Sequence, residues 1–315
     1  MNAPDRVEAA RVRAVGVYIP SRRVSNLDRI ADFGIDAQFV LDKLGVRQRA
    51  LKECDERASD LCVKAFADLR LQIAIDPSDV QLLCVVTQNP DYRIPYTAAV
   101  LHEKLGLGKH CMTFDVSQGC AGYTHGMAIV SAMMHSYGLE HALLFTCDPY
   151  SNIISANDKN TALLFGDAAT VSYFAHSGPG YMLLDTEFGT LPGSSVCLLC
   201  EDSLTMDGRS VLMNAAREVP ESIGALLRRN SLVARDINAF LLHPGSKRII
   251  DLIRASLGLD EAKVPFEIMD YGNTVSSSIP IMLKGYLQRW SPAKLVLSGF
   301  GVGFSWASNL VDYRN

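Results

Sequence analysis

The chain has 315 residues, 48% of them hydrophobic and 20% charged, with a formal net charge of -4. That length and apolar content can bury a large core and exclude a small stapled module, and the mildly acidic balance supplies no basic field for nucleic acid, so none is expected as a partner. No run reaches the roughly 20 apolar residues of a membrane span, no apolar signal segment follows Met1–Arg6, and the cysteines sit mostly inside apolar segments, so the expectation is a cytoplasmic protein with no membrane partner.

In chain order, Val12–Tyr18 alternates and stops at Pro20, which predicts an opening strand before a loop carrying Arg22 and Arg23. Ser59–Leu69 has the spacing of a helix facing a core, and Val80–Thr87 is a compact strand followed by polar turn residues. Met112–Val116 predicts a strand and Ala121–Tyr137 a helix that ends near Gly138. His141–Cys147 is another strand, and Thr161–Phe165 leads into Gly166-Asp167-Ala168-Ala169 with more strand beyond. Farther on, Ser210–Arg229 is expected to be helical with breaks, Ile237–Leu242 a strand and Lys247–Ser256 a helix. Phe266–Met269, the region of Ser277–Gln288, and Lys294–Ser298 continue as strand, helix and strand.

This alternation predicts an α/β fold with helices layered on mixed sheets and reactive groups where strands end and helices begin. The order of elements recurs without a residue-level repeat, and the two halves are divided as 1–172 and 173–315. A dinucleotide fold competes, but no G-x-G-x-x-G run follows the opening strand, and Gly299-Phe300-Gly301-Val302-Gly303 comes too late to serve as one.

Three polar residues stand at element boundaries. Cys120 closes Thr113-Phe114-Asp115-Val116-Ser117-Gln118-Gly119 and opens an apolar helix, where free amides and the positive helix end would favour a thiolate. His243 follows Phe240-Leu241-Leu242, and Asn273 lies in Tyr271-Gly272-Asn273-Thr274 before another helix. Taken singly, each has an ordinary reading as core cysteine, satisfied histidine and turn or cap residue. Taken together they suit thioester chemistry. A thiolate can accept an acyl group and keep it activated, while His243 and Asn273 donate hydrogen bonds to a second thioester carbonyl as a malonyl group loses carbon dioxide. The amides of Cys120 and of the Gly301-Val302-Gly303 turn are candidate oxyanion donors, the glycine turn being equally readable as close strand packing.

With these residues in place, the chain resembles the thiolase-like condensing enzymes, especially β-ketoacyl-acyl carrier protein synthase III and its relatives in specialised metabolism. The resemblance runs through Leu44–Arg49, Asn89–Tyr92, Asp115–Gly122, Leu164–Asp167, Met206–Gly208, His243–Ile250, Gly272–Pro280 and Gly299–Trp306. It implies two similar halves forming an αβαβα layered sandwich, the N-terminal one carrying the cysteine and the C-terminal one the histidine and asparagine, and a homodimer across the N-terminal halves. It further implies Cys120 as acyl acceptor, His243 and Asn273 as the decarboxylation pair, and the Val302 amide as second oxyanion donor. The expected substrates are acyl-coenzyme A or acyl carrier protein and malonyl-coenzyme A or malonyl carrier protein, with coenzyme A or phosphopantetheine entering only as part of them and no further cofactor. His243-Pro244-Gly245-Ser246 departs from the His-Gln-Ala-Asn run of fatty-acid-initiating enzymes, and the interval from Asp167 to Met206 is short, which leaves two alternatives open. One is acyl transfer from the cysteine to a small oxygen or nitrogen nucleophile; the other is a silent partner of another condensing subunit.

Arg22, Arg23, Arg47, Arg49, Lys247 and Arg248 are candidates for phosphate or carrier binding, against ordinary solvated surface. Cys197-Leu198-Leu199-Cys200 has redox-like spacing but is read as a structural strand, and no metal site is expected. Met127, Met133 and Met134 are assigned to packing behind Cys120, and Asp167 to holding a turn.

Overall fold

The structure, a computed structural model, describes residues 9–289 and 293–315; the Met1–Arg6 segment lies outside them. In chain order it comprises β1 (Arg11–Tyr18), β2 (Arg23–Ser25), α1 (Ile30–Phe33), β3 (Gln48–Ala50), α2 (Ala58–Arg70), β4 (Leu82–Val86), α3 (Thr97–Leu105), β5 (Met112–Val116) and α4 (Gly122–Tyr137). Then come β6 (His141–Cys147), α5 (Lys159–Ala162), β7 (Ala169–Ala175), β8 (Gly180–Thr190), β9 (Leu198–Cys200), β10 (Leu204–Met206) and α6 (Gly208–Arg229). The chain closes with β11 (Ala239–Leu242), α7 (Lys247–Ser256), α8 (Ser278–Gln288), β12 (Lys294–Gly301) and β13 (Ser305–Arg314). Among the described residues, no helix is long and apolar enough to cross a membrane.

The main sheet runs β11-β12-β13-β8-β1-β7-β6-β4-β5. Its two halves join at the short pairing of Arg11 and Val12 with Met182 and Tyr181. Strand β4 is a continuous apolar run, Leu82-Leu83-Cys84-Val85-Val86, because it pairs in parallel with β5 and β6 and is buried throughout. The core falls into layers. Leu61 and Phe66 of α2 and Leu101 of α3 pack one face of the N-terminal sheet with Leu83 and Val85. Tyr123, Met127 and Val130 of α4 and Met282 and Leu283 of α8 fill the space between the two half-sheets, meeting Cys84 on one side and Leu241 and Leu297 on the other. Ile223 of α6 and Ile253 of α7 cover the remaining face with Phe240 and Val296. This succession of helix, sheet, helix, sheet and helix is the αβαβα sandwich.

The 172/173 division falls inside strand β7, and we propose that the halves meet in the turn at Ser177-Gly178-Pro179. Two expectations change. Phe266–Met269 forms no strand: Pro265 removes one donor, and the Met269 carbonyl is taken by the Arg47 and Gln48 amides at the start of β3. Residues 208–229 form one helix without the expected breaks, even across Pro220, because Val211, Ala215, Val219, Ile223 and Leu226 recur on one buried face that holds both segments to the sheet.

Candidate active site

Strand β5 hands the chain to α4 through the single turn Gly119–Ala121, and this turn places Cys120, 4% exposed, at the edge of a cavity of about 300 Å³. Gly119 has φ +58, and a Cβ there would meet the Gln88 side chain at 2.5 Å. On the opposite side a Cβ at Gly301 would stand 2.8 Å from Cys120 Cβ and 3.2 Å from its sulfur. The glycine-rich end of β12 therefore closes around the thiol as no larger residue permits. Burial, and secondarily the charge of Asp148, push the Cys120 thiol well above its ordinary value, while its own backbone amide pulls the other way. Burial thus works against the thiolate expected at a helix end and favours the thiol.

His243 leaves β11 with its amide bonded to the Ser298 carbonyl at 2.8 Å, and Asn273 is fixed by backbone bonds to Leu164 and Gly166. Both are 2% exposed and line the same cavity as Cys120. The Asn273 side-chain oxygen accepts from the Val275 amide at 2.8 Å, which leaves its nitrogen 3.3 Å from His243 Nε2. Burial lowers the His243 pKa to about 3, the Val275 backbone offsetting only part of the effect; Nδ1 is sealed without a hydrogen-bond partner, and the Phe300 ring stands edge-on at 5.6 Å. The imidazole is neutral at physiological pH, so the cavity presents two uncharged nitrogens beside a thiol.

Val302 stands next in chain to Gly301, its carbonyl accepting from Ser305 Oγ at 2.8 Å and its side chain 3.1 Å from where a Cβ on Gly119 would lie. It is thus packed against the cysteine elbow. Behind the thiol, Asp148 accepts from the Gln88 amide at 2.6 Å and from the Ser276 hydroxyl, and burial pushes its pKa up to about 6 against these bonds. The Gln88 side chain accepts from the Tyr150 hydroxyl at 2.6 Å, and Tyr150 stacks obliquely on Phe165. Asp167 holds the adjoining loop through the Lys52 amide at 3.0 Å and the Ser151 hydroxyl at 2.6 Å.

The six basic candidates do not converge. Arg248 lines the active-site cavity, whereas Lys247 pairs with Asp251 on its own helix and Arg47 with Asp270 across an exposed contact. Arg23 bonds the Pro20 carbonyl, and Arg22 and Arg49 border a different cavity. The cations that do join Arg248 are Lys43 and Lys159, whose ammonium groups lie 5.6 and 5.2 Å from the Phe39 ring centroid. Sequence reasoning missed all three of Phe39, Lys43 and Lys159, because neither lysine belongs to a basic cluster and only folding carries Lys159 to Phe39. Asp148 was missed as well, although its place directly after β6 was a usable signal. Among the described residues, no group of three or more His, Cys, Asp or Glu side chains could hold a metal ion.

Comparison with known proteins covers nearly the whole chain. Residues 114–192 match the family model for 3-oxoacyl-acyl-carrier-protein (ACP) synthase III, and residues 227–313 match the model for its C terminal part. A relative from Neisseria gonorrhoeae (strain NCCP11945), a beta-ketoacyl-acyl-carrier-protein synthase III, is 30% identical over 98% of this chain and 100% of its own. The crystal structure of 3-oxoacyl-(acyl carrier protein) synthase III from Pseudomonas aeruginosa PAO1 superposes with a TM-score of 0.90 at 27% identity, covering 98% of this chain and 99% of that one. The priming β-ketosynthase from the R1128 polyketide biosynthetic pathway is similar to the same extent, with a TM-score of 0.89, 26% identity and coverage of 99% and 98%.

Proposed function

The chain belongs to the β-ketoacyl-acyl-carrier-protein synthase III family, enzymes of condensing thioester chemistry, and from that premise we propose that it joins a starter acyl thioester to a malonyl thioester with loss of carbon dioxide. Cys120 takes the starter acyl group, giving up its proton and releasing the carrier thiol. The malonyl thioester then enters with its carbonyl oxygen against His243 Nε2 and Asn273 Nδ2. As the carboxylate leaves as carbon dioxide, the electron pair of the broken bond becomes an enolate, which these two donors stabilise. The enolate carbon attacks the Cys120 thioester, the sulfur departs, and a β-ketoacyl thioester results. The Cys120 and Val302 amides are assigned to the oxyanion of that second attack.

The observation that carries this reading is the pair of uncharged nitrogens 3.3 Å apart in the cavity that holds the thiol. A neutral imidazole donates to a developing enolate without a buried cation that would already hold the malonyl carboxylate in its ground state. Lys43, Lys159 and Arg248 are assigned to the phosphates of coenzyme A or phosphopantetheine, since all three cations line the cavity that holds Cys120. Homodimer formation through β5, the edge of the sheet, completes the proposal.

The test is incubation with an acyl donor and malonyl thioester labelled in its free carboxyl. The expected result is an acyl adduct on Cys120 by intact-protein mass spectrometry, release of labelled carbon dioxide and a product two carbons longer. Acyl transfer to a small oxygen or nitrogen nucleophile without carbon dioxide would replace this reading, and absence of any adduct until a second condensing subunit is supplied would make the chain a silent partner.

A further inference from the structure

A second cavity, of about 260 Å³, opens beside the β2–β3 hairpin and shares only Phe165 with the walls of the active-site cavity. Its floor is Arg49, 6% exposed, a guanidinium with little else to do. Arg49 Nε donates to Asn26 Oδ1 at 2.9 Å, and Asn26 is anchored in turn to the Val46 and Leu163 carbonyls at 2.9 and 2.7 Å, so the group is rigidly aimed. Among the described residues this is the only side-chain hydrogen bond Arg49 makes. Arg49 lines the cavity, and neither of its terminal nitrogens is among the buried side-chain atoms left without a partner in the described residues.

The surrounding charge is unbalanced in the same direction. Burial first, and then the positive charge of Arg29, draw the Arg49 pKa down to about 10, with Asp167 opposing weakly. Asp167 has its oxygens engaged by the Lys52 amide and by Ser151. Arg29 is already neutralised by Asp32 and spends another nitrogen on the Ala156 carbonyl, and Arg22 stands exposed at the rim. One buried positive charge with a free planar edge is therefore left, facing walls made by Val24, Leu51, Ile154 and Phe165. A guanidinium edge matches a carboxylate through two parallel hydrogen bonds. The buried guanidinium offers one such fork, which fits a carboxylate head, and the apolar walls suit a short hydrocarbon body.

We propose that this second cavity binds a small aliphatic monocarboxylate, its head on Arg49 and its chain against Val24, Leu51, Ile154 and Phe165. The site is independent of the condensation reading, because it uses neither Cys120 nor its partners.

The test is calorimetric titration of the full chain with acetate, butyrate and hexanoate at fixed ionic strength, with inorganic phosphate as a separate arm. Saturable binding is expected, tightening about fourfold per added methylene until the cavity is filled, the ratio that corresponds to about 0.8 kcal/mol per buried CH₂. Arg49→Lys should weaken it at least tenfold. Ile154→Trp, which fills the apolar part of the cavity and leaves the arginine itself unsubstituted, should abolish it even if Arg49 variants fail to fold. Lys159→Ala, on the other cavity, should leave it unchanged. The proposal is overturned by absence of saturable binding, by tighter binding of phosphate than of butyrate, or by carboxylate binding that survives Ile154→Trp and is lost with Lys159→Ala.

Discussion

The Asn273 side-chain nitrogen stands 3.3 Å from His243 Nε2 while its oxygen is tied to the Val275 amide, so the two residues present a shared donor wall rather than an acid and a base. Removing either donor should lower carbon dioxide release by about 10²–10³-fold, as loss of one oxyanion donor does elsewhere. Acylation of Cys120 uses neither donor on the malonyl carbonyl, so in Asn273→Ala and His243→Ala it should persist within a few-fold. Pre-steady-state adduct formation and carbon dioxide release, measured on the same samples, check the split; parallel loss of both would dismiss it.

Gly301→Ala should block the thiol. A Cβ placed 2.8 Å from Cys120 Cβ cannot be relieved by a rotamer change, because both atoms sit next to the backbone. We expect labelling of Cys120 by acyl donor to fall at least tenfold, with the variant still folded by circular dichroism. Retained labelling would mean that β12 yields at that point.

His243, with its pKa drawn to about 3, should itself contribute no protonation step to the condensation rate between pH 5 and 7, so the rates of wild type and Asp148→Asn should differ there only by the titration of Asp148. The stability consequence has a definite sign. The unfolded chain takes up a proton near the ordinary 6.5 and the folded chain only near 3, so this residue weakens the fold progressively as pH falls through that window. Denaturant unfolding of wild type and His243→Gln from pH 7 to 4 should show a smaller acid loss in the variant.

Asp148 acts with the opposite sign. Its folded pKa of about 6 exceeds the ordinary 3.8, so the folded chain holds the extra proton between those values and this residue contributes less stability as pH rises through them. Asp148→Asn should remove that dependence. It also removes a negative charge that raises the Cys120 thiol, and so iodoacetamide should alkylate Cys120 several-fold faster at pH 7.5. An unchanged alkylation rate would show that burial alone sets the thiol.

Lys159→Ala should raise KM for a coenzyme A thioester about tenfold, the scale of a hydrogen bond to a charged group, with kcat little altered and the difference shrinking in high salt. A loss confined to kcat would remove Lys159 from substrate binding.

Much of this was legible in the chain because the signals were local. The elbow at Gly119-Cys120, the boundary positions of His243 and Asn273, and the apolar run of β4 all follow from residue order and spacing. The basic residues were misgrouped for an equally physical reason. Arg47 and Arg49 look like one cluster in sequence, yet Arg47 pairs with Asp270 at the surface, whereas Arg49 turns inward to Asn26. Lys43 and Lys159 look unrelated, yet they meet over one Phe39 ring.

Residue order alone determined which elements form and which of their ends carry sulfur, imidazole and amide, since helix and strand periods and glycine turns act over a few neighbours. The folded chain decided what state those groups occupy and what they face. Desolvation by residues distant in sequence raises the Cys120 thiol and keeps His243 neutral, and the meeting of remote loops puts Asn273 beside His243 and leaves Arg49 buried with one side-chain hydrogen bond. Burial and proximity between distant segments are properties of the packed whole, and no local pattern encodes them.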